Sequence, residues 1–103
     1  MSRIGSRAMY RSWNRDRNEK DITPILDRLH VRYHLMPPGA GFDILVMVGP
    51  VEFWEIKNSE YKWSLTKGEQ ETKKYCEARG ITYRVIENIE QAANALVERT
   101  MAK

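Results

Sequence analysis

One cysteine, two histidines and no apolar run longer than five residues set the first limits on this 103-residue chain. Cys76 alone cannot build an internal disulfide framework, and such sparse cysteine fits a reducing compartment. No Cys/His cluster has zinc spacing. The longest apolar stretch, Ile44 to Val48, is far too short to cross a membrane. The N-terminus is rich in arginine and lacks the apolar core of a secretory signal. There is no glycine-rich phosphate loop, internal repeat or low-complexity tract. These absences argue against a disulfide scaffold, a zinc module, a membrane span and a P-loop nucleotide binder. A single cytoplasmic domain is the expectation.

What is present is ordinary in amount and uneven in placement. Hydrophobic residues make up 42% and charged residues 30%, as in a globular protein. The net charge is +3, but residues 1–17 carry five arginines (Arg3, Arg7, Arg11, Arg15 and Arg17) against Asp16 alone. That segment is therefore +4 and the rest of the chain −1. The expected division is a basic arm over 1–17 and one domain over 18–103. Arginines at every fourth position would form a stripe on a helix, and Tyr10 and Trp13 among them could stack on bases. Basic arms of this kind contact nucleic acid.

The pattern along the body predicts the order α-β-β-β-α-β-α. Ile22, Ile25, Leu26 and Leu29 give one apolar face to a helix from Asn18 to about Leu29. Within it, Pro24 predicts either a kink or a shorter helix starting at Thr23-Pro24. Val31 to Leu35 reads as a strand, and Met36 to Gly41 as a loop. Phe42 to Val48 and Val51 to Lys57 read as a central hairpin with apolar residues on both faces, which suits strands covered on both sides. Thr66-x-x-Glu69 is a capping box that opens a helix to Arg79, with Gly80 as its stop. Ile81 to Ile86 is a strand, and Asn88-x-x-Gln91 opens a last helix through about Arg99. The strand-helix-strand unit from Val51 to Ile86 should be parallel.

Within the hairpin, Asp43 opens one strand and Glu55-Ile56-Lys57 closes the other. Charges inside apolar segments are expensive without partners. Glu55 and Lys57 project from the same side of a strand. Two carboxylates can hold a hard divalent cation, and a neighbouring lysine can orient water or steady charge on phosphate. That is the apparatus of metal-assisted phosphodiester hydrolysis. It imposes a condition on register. A two-residue Gly49-Pro50 turn would pair Val48 with Val51 and set Asp43 opposite Ile56, with the carboxylates on opposite faces. A shared site needs an odd-length connection or a bulge, and the fixed negative φ of Pro50 already disfavours the type I′ turn.

Gly41-Phe42-Asp43, Glu55-Ile56-Lys57 and Leu65-Thr66-Lys67-Gly68-Glu69-Gln70, with Arg15 to Ile22 upstream, resemble the PD-(D/E)xK nuclease superfamily. Within it they are most similar to small, stand-alone phage-type VRR-NUC nucleases. The resemblance spans about Arg15 to Leu96 and departs at Phe42, where the family often has proline, and at Pro24 in the first helix. It implies a restriction-endonuclease-like α/β core with a mixed sheet and a C-terminal helix. It implies Mg2+ or Mn2+ held by Asp43, Glu55 and the Ile56 carbonyl, with Glu19 as a further ligand. Lys57 would be the catalytic lysine and Gln70 a functional residue near the metal. DNA, specifically four-way junctions, would be the substrate, and the compartment the cytoplasm of a phage-infected bacterial host.

A junction has near two-fold symmetry, so a homodimer is expected, with Trp54, Tyr61, Trp63, Ala92, Leu96 and Val97 as candidate contacts, each equally suited to the core. Glu69 is read as the cap and not a catalyst. Lys73 and Lys74 read as a solvated face or as phosphate contacts, His30 and His34 as structural or surface residues, and Tyr83 and Cys76 as core. The rival readings are a nucleic-acid-binding module that keeps the fold without catalysis, and a nuclease acting on other DNA.

Overall fold

Seven elements follow one another in the expected order in the computed structural model, which describes residues 17–101. They are α1 (Arg17–Arg28), β1 (Arg32–Leu35), β2 (Ile44–Met47), β3 (Val51–Ile56), α2 (Lys67–Ala78), β4 (Thr82–Ile86) and α3 (Ile89–Met101). The strands form one sheet in the order β1-β2-β3-β4. The first two pairings are antiparallel and β3-β4 is parallel, as the intervening helix requires. The result is the mixed α/β core with a C-terminal helix that the sequence pattern predicts.

The sheet has two chemically distinct faces. Ile44 and Val46 of β2, Trp54 and Ile56 of β3 and Ile86 of β4 point to one side, where Ile22 and Leu26 of α1 and Ala92, Ala95 and Leu96 of α3 close the core. The opposite face carries Leu45, Met47 and Phe53, which are half-buried, so burial there is partial and not the full two-sided covering expected. Its partner is α2, which packs along β4. Trp54, Ala92 and Leu96 are core residues at 0%, 0% and 5% exposure, which removes them as subunit contacts. Among the proposed contacts, Tyr61, Trp63 and Val97 remain exposed.

α1 runs unbroken through Pro24. The ring withdraws the N–H that would bond the Lys20 carbonyl. Both residues lie on the exposed side, where water can satisfy that carbonyl. Leu29 falls past the helix end and is exposed, so it drops out of the predicted apolar face. The helix closes with the Val31 N–H on the Leu26 carbonyl (2.9 Å) and His30 at φ 59°. That left-handed position usually belongs to glycine; in α2, Gly80 holds the equivalent place at φ 72°. His30→Gly is therefore expected to stabilise the fold by about 0.5–1 kcal/mol, read as a higher denaturant midpoint at unchanged slope.

Candidate active site

β2 and β3 are joined through Val48, Gly49 and Pro50, because Met47 pairs with Val51. The connection has the odd length that a shared site demands. Ile44 pairs with Trp54, so the next step along the hairpin brings Asp43 to Glu55. Beyond β2 one more main-chain bond is followed by a side-chain bond. The Asp43 N–H donates to the Trp54 carbonyl (2.9 Å), and the Ile56 N–H donates to Asp43 Oδ2 (2.8 Å). The Ile56 peptide is thus tied to the Asp43 carboxylate. Past the end of β3, the Lys57 N–H donates to the Ile86 carbonyl (3.0 Å) and carries the parallel ladder one residue further. Lys57 therefore projects on the same side as Glu55.

Asp43, Glu55 and Lys57 come together on the face that α2 approaches. Lys57 Nζ lies 3.4 Å from Glu55 Oε2 and 3.0 Å from Glu69 Oε1. Glu55 is buried at 3% exposure. Burial, then the charges of Asp43 and Glu69, push its carboxyl from the ordinary 4.5 up to about 9, against the opposing pull of Lys57. Burial draws the Lys57 ammonium down, but its hydrogen bond to Glu69 and the charges of Glu55 and Glu69 prevail and leave it raised. Lys57 is accordingly a cation at neutral pH and acts as a donor, not as a proton acceptor.

The loop that presents Asp43 is held from two sides. Tyr83 Oη donates to the Gly41 carbonyl (2.8 Å). Burial, then the charges of Glu55, Glu69 and Asp43, hold the Tyr83 hydroxyl well above its ordinary value, so it stays a donor. Gly41 (φ 90°) lies against α2, where a Cβ would meet Thr72 Oγ1 at 2.0 Å. Phe42 stacks on Phe53, with ring centroids 4.0 Å apart. Tyr83, read from sequence as core, is half-buried beside the charged site.

The other expected residues are placed differently. Glu19 is 4% exposed on the stripe of α1 that carries Ile22 and Leu26. Gln70 is exposed, and its amide donates to the Leu65 carbonyl (2.9 Å), across the start of α2. Arg17 opens α1, while Arg3, Arg7, Arg11 and Arg15 lie outside the described residues.

Two acidic residues have roles beyond those expected. Glu69 completes the capping box, accepting from the Thr66 N–H (2.9 Å), yet the same oxygen accepts from Lys57. Glu52 is fully buried and accepts from Trp54 Nε1 (2.9 Å) and Arg84 Nε (2.8 Å), while Arg84 also reaches Glu98 (2.8 Å). Period-two alternation already places Glu52 with Trp54 and Ile56 on the core side, a signal that it needed a cationic partner.

Comparison with protein-family models, with curated proteins and with solved structures finds no match for this chain.

The donors Asp43 and Glu55 are hard oxygens, suited to magnesium or manganese over softer metals. Among the described residues no three His, Cys, Asp or Glu side chains group to hold a metal by themselves. A cation here would complete its coordination with peptide oxygen and water, which suits magnesium, an ion that commonly uses one or two carboxylates and retains water.

The electrostatics give a test without metal or substrate. The folded protein keeps a proton on Glu55 that the unfolded chain releases above about 4.5. That contribution is complete below the unfolded value and is lost as pH rises through about 9. Stability of the metal-free protein should therefore fall across that interval, and Glu55→Gln should flatten the fall. The Glu69–Lys57 pair acts outside the window. Burial raises the Glu69 carboxyl, but the Thr66 backbone bond and Lys57 outweigh it and leave it lowered, so its contribution is lost in acid. Lys57, raised, loses its contribution only in strong alkali. Denaturant unfolding at several pH values checks this; an identical slope in Glu55→Gln would contradict it.

Proposed function

We propose that this protein is a divalent-metal-dependent endodeoxyribonuclease of the PD-(D/E)xK type, similar to the small VRR-NUC nucleases. The observation that carries the reading is the meeting of Asp43, Glu55 and Lys57 on one sheet face through a three-residue connection. A buried carboxyl group set against a half-buried one, with a cation beside them, is costly unless it serves a ligand. Asp43 and Glu55 hold magnesium or manganese, with the Ile56 carbonyl and Glu19 as further donors in this reading. When bound, the ion supplies Lewis acidity toward a phosphate oxygen and an activated water. Asp43 is kept in place by the Ile56 N–H, and its loop by Tyr83. Lys57 holds its ammonium proton and donates it in a hydrogen bond to the water or to the phosphate, where negative charge grows. Gln70 stands at the start of α2 as a substrate-side contact.

The basic arm, Arg3, Arg7, Arg11, Arg15 and Arg17, neutralises DNA phosphates in this proposal. A four-way junction, cut by a homodimer, is the substrate that the sequence resemblance favours. Exposed Tyr61, Trp63 and Val97 are the available apolar contacts among those named. The test is incubation with duplex, single-stranded, flap and four-way-junction DNA side by side, with and without magnesium, with light scattering on the same samples. Magnesium-dependent cutting of the junction by a dimer, with duplex largely intact, is the expected result. Binding without cutting of any substrate would support a non-catalytic module instead. Equal cutting of duplex and junction would overturn the substrate, and a ~12 kDa monomer under cleaving conditions the dimer.

A further inference from the structure

We infer that Glu69 is a positioning residue for Lys57, built into the first turn of α2 so that the helix start and the reactive lysine share one carboxylate oxygen. The inference rests on the nuclease reading only for its effect on rate. Three observations carry it. Glu69 Oε1 accepts from Lys57 Nζ at 3.0 Å, a shorter contact than that of the same ammonium with Glu55 at 3.4 Å. The same Oε1 accepts from the Thr66 N–H at 2.9 Å, while the Glu69 N–H donates to Thr66 Oγ1 at 3.2 Å. The carboxylate is therefore oriented by main chain before it meets the lysine. Finally, the side chains of Lys57 and Glu69 are only 16% and 18% exposed, so the contact is shielded from the water and salt that dissolve surface pairs.

A lysine side chain has several rotatable bonds and loses much freedom when its ammonium is held in one place. Glu69 bears that restriction in the resting protein. The reactive end of Lys57 is thus placed independently of whatever engages Glu55. α2 thereby does for Lys57 what the Gly41 loop does for Asp43.

Charge and cap can be separated. Glutamine serves a capping box as glutamate does, so Glu69→Gln keeps the cap and removes the anion. Thr66→Ala removes a cap bond and keeps the anion. The metal-free proteins are compared by the nitrogen-15 NMR signal of the Lys57 ammonium and its proton exchange with water. Exchange should quicken more than about tenfold in Glu69→Gln, the scale of losing one charge-assisted hydrogen bond, and stay near wild type in Thr66→Ala. In cleavage, kcat should fall at least about tenfold in Glu69→Gln with KM little changed, whereas Thr66→Ala should lower thermal stability and leave kcat near wild type. Equal exchange in wild type and Glu69→Gln, or a loss of kcat that follows stability in both variants, would overturn the assignment. If the wild type cuts no DNA, the nuclease reading fails, and the ammonium exchange still decides whether Glu69 holds Lys57.

Discussion

Asp43→Asn and Glu55→Gln are each expected to lower magnesium-dependent DNA cleavage by roughly 100- to 1,000-fold, the scale of removing one preorganised electrostatic group from a reacting centre. Both variants should fold. Glu55→Gln exchanges a carboxyl that is already neutral at pH 7 in the metal-free protein for a neutral amide of similar shape. Asp43→Asn keeps an oxygen for the Ile56 N–H. Lys57→Ala should lose a similar factor in kcat while binding magnesium nearly as well, because Lys57 donates and does not ligate. Single-turnover rates at saturating protein, with magnesium titrated, separate these effects. Rates restored by more magnesium would mark a ligand, and full activity of Lys57→Ala would make the lysine structural.

Arg84→Met is expected to produce the largest loss of stability, about 3–5 kcal/mol, because it takes the guanidinium partner from the buried Glu52 side chain. The Glu52 side chain is 1% exposed, and the Trp54 indole N–H is a neutral donor that brings no compensating charge. The double variant Glu52→Met/Arg84→Met should recover much of that loss, since apolar side chains replace a costly pair in place. Denaturant unfolding of both single variants and the double supplies the cycle. A double variant that simply added the single losses would show that the pair is not coupled. The proposed metal site lies on the other face of the sheet, so metal binding should persist in the double variant.

Much of the architecture was readable because each element carries its own periodicity or cap. Thr66-x-x-Glu69 and Gly80 bound α2, and the pairing of β3 with β4 follows from the helix between them. The register could be stated as a condition, since parity decides which face each side chain takes, and the three-residue connection at Pro50 meets it. Other features depend on tertiary neighbours. Trp54 looked equally suited to a subunit contact or to the core, and only the packing of α1 and α3 over it decides for the core. Pro24 gave a warning about α1 that exposure to solvent defuses. Glu69 could be read as a cap from local spacing alone. Its bond to Lys57 depends on how the β3–α2 connection folds back, which no local pattern records. The partnership of Glu52 with Arg84 spans 32 residues and was likewise invisible to local periodicity.

The central claim is that Asp43 and Glu55 together hold a divalent cation for phosphodiester hydrolysis. Calorimetric titration of Mn2+ into the wild type, Asp43→Asn and Glu55→Gln tests it most directly. The account predicts saturable binding at one class of site in the wild type, weakened more than about tenfold by either substitution, as expected when one carboxylate ligand is lost. Wild-type protein that binds no Mn2+, or binding that both substitutions leave unchanged, would contradict it.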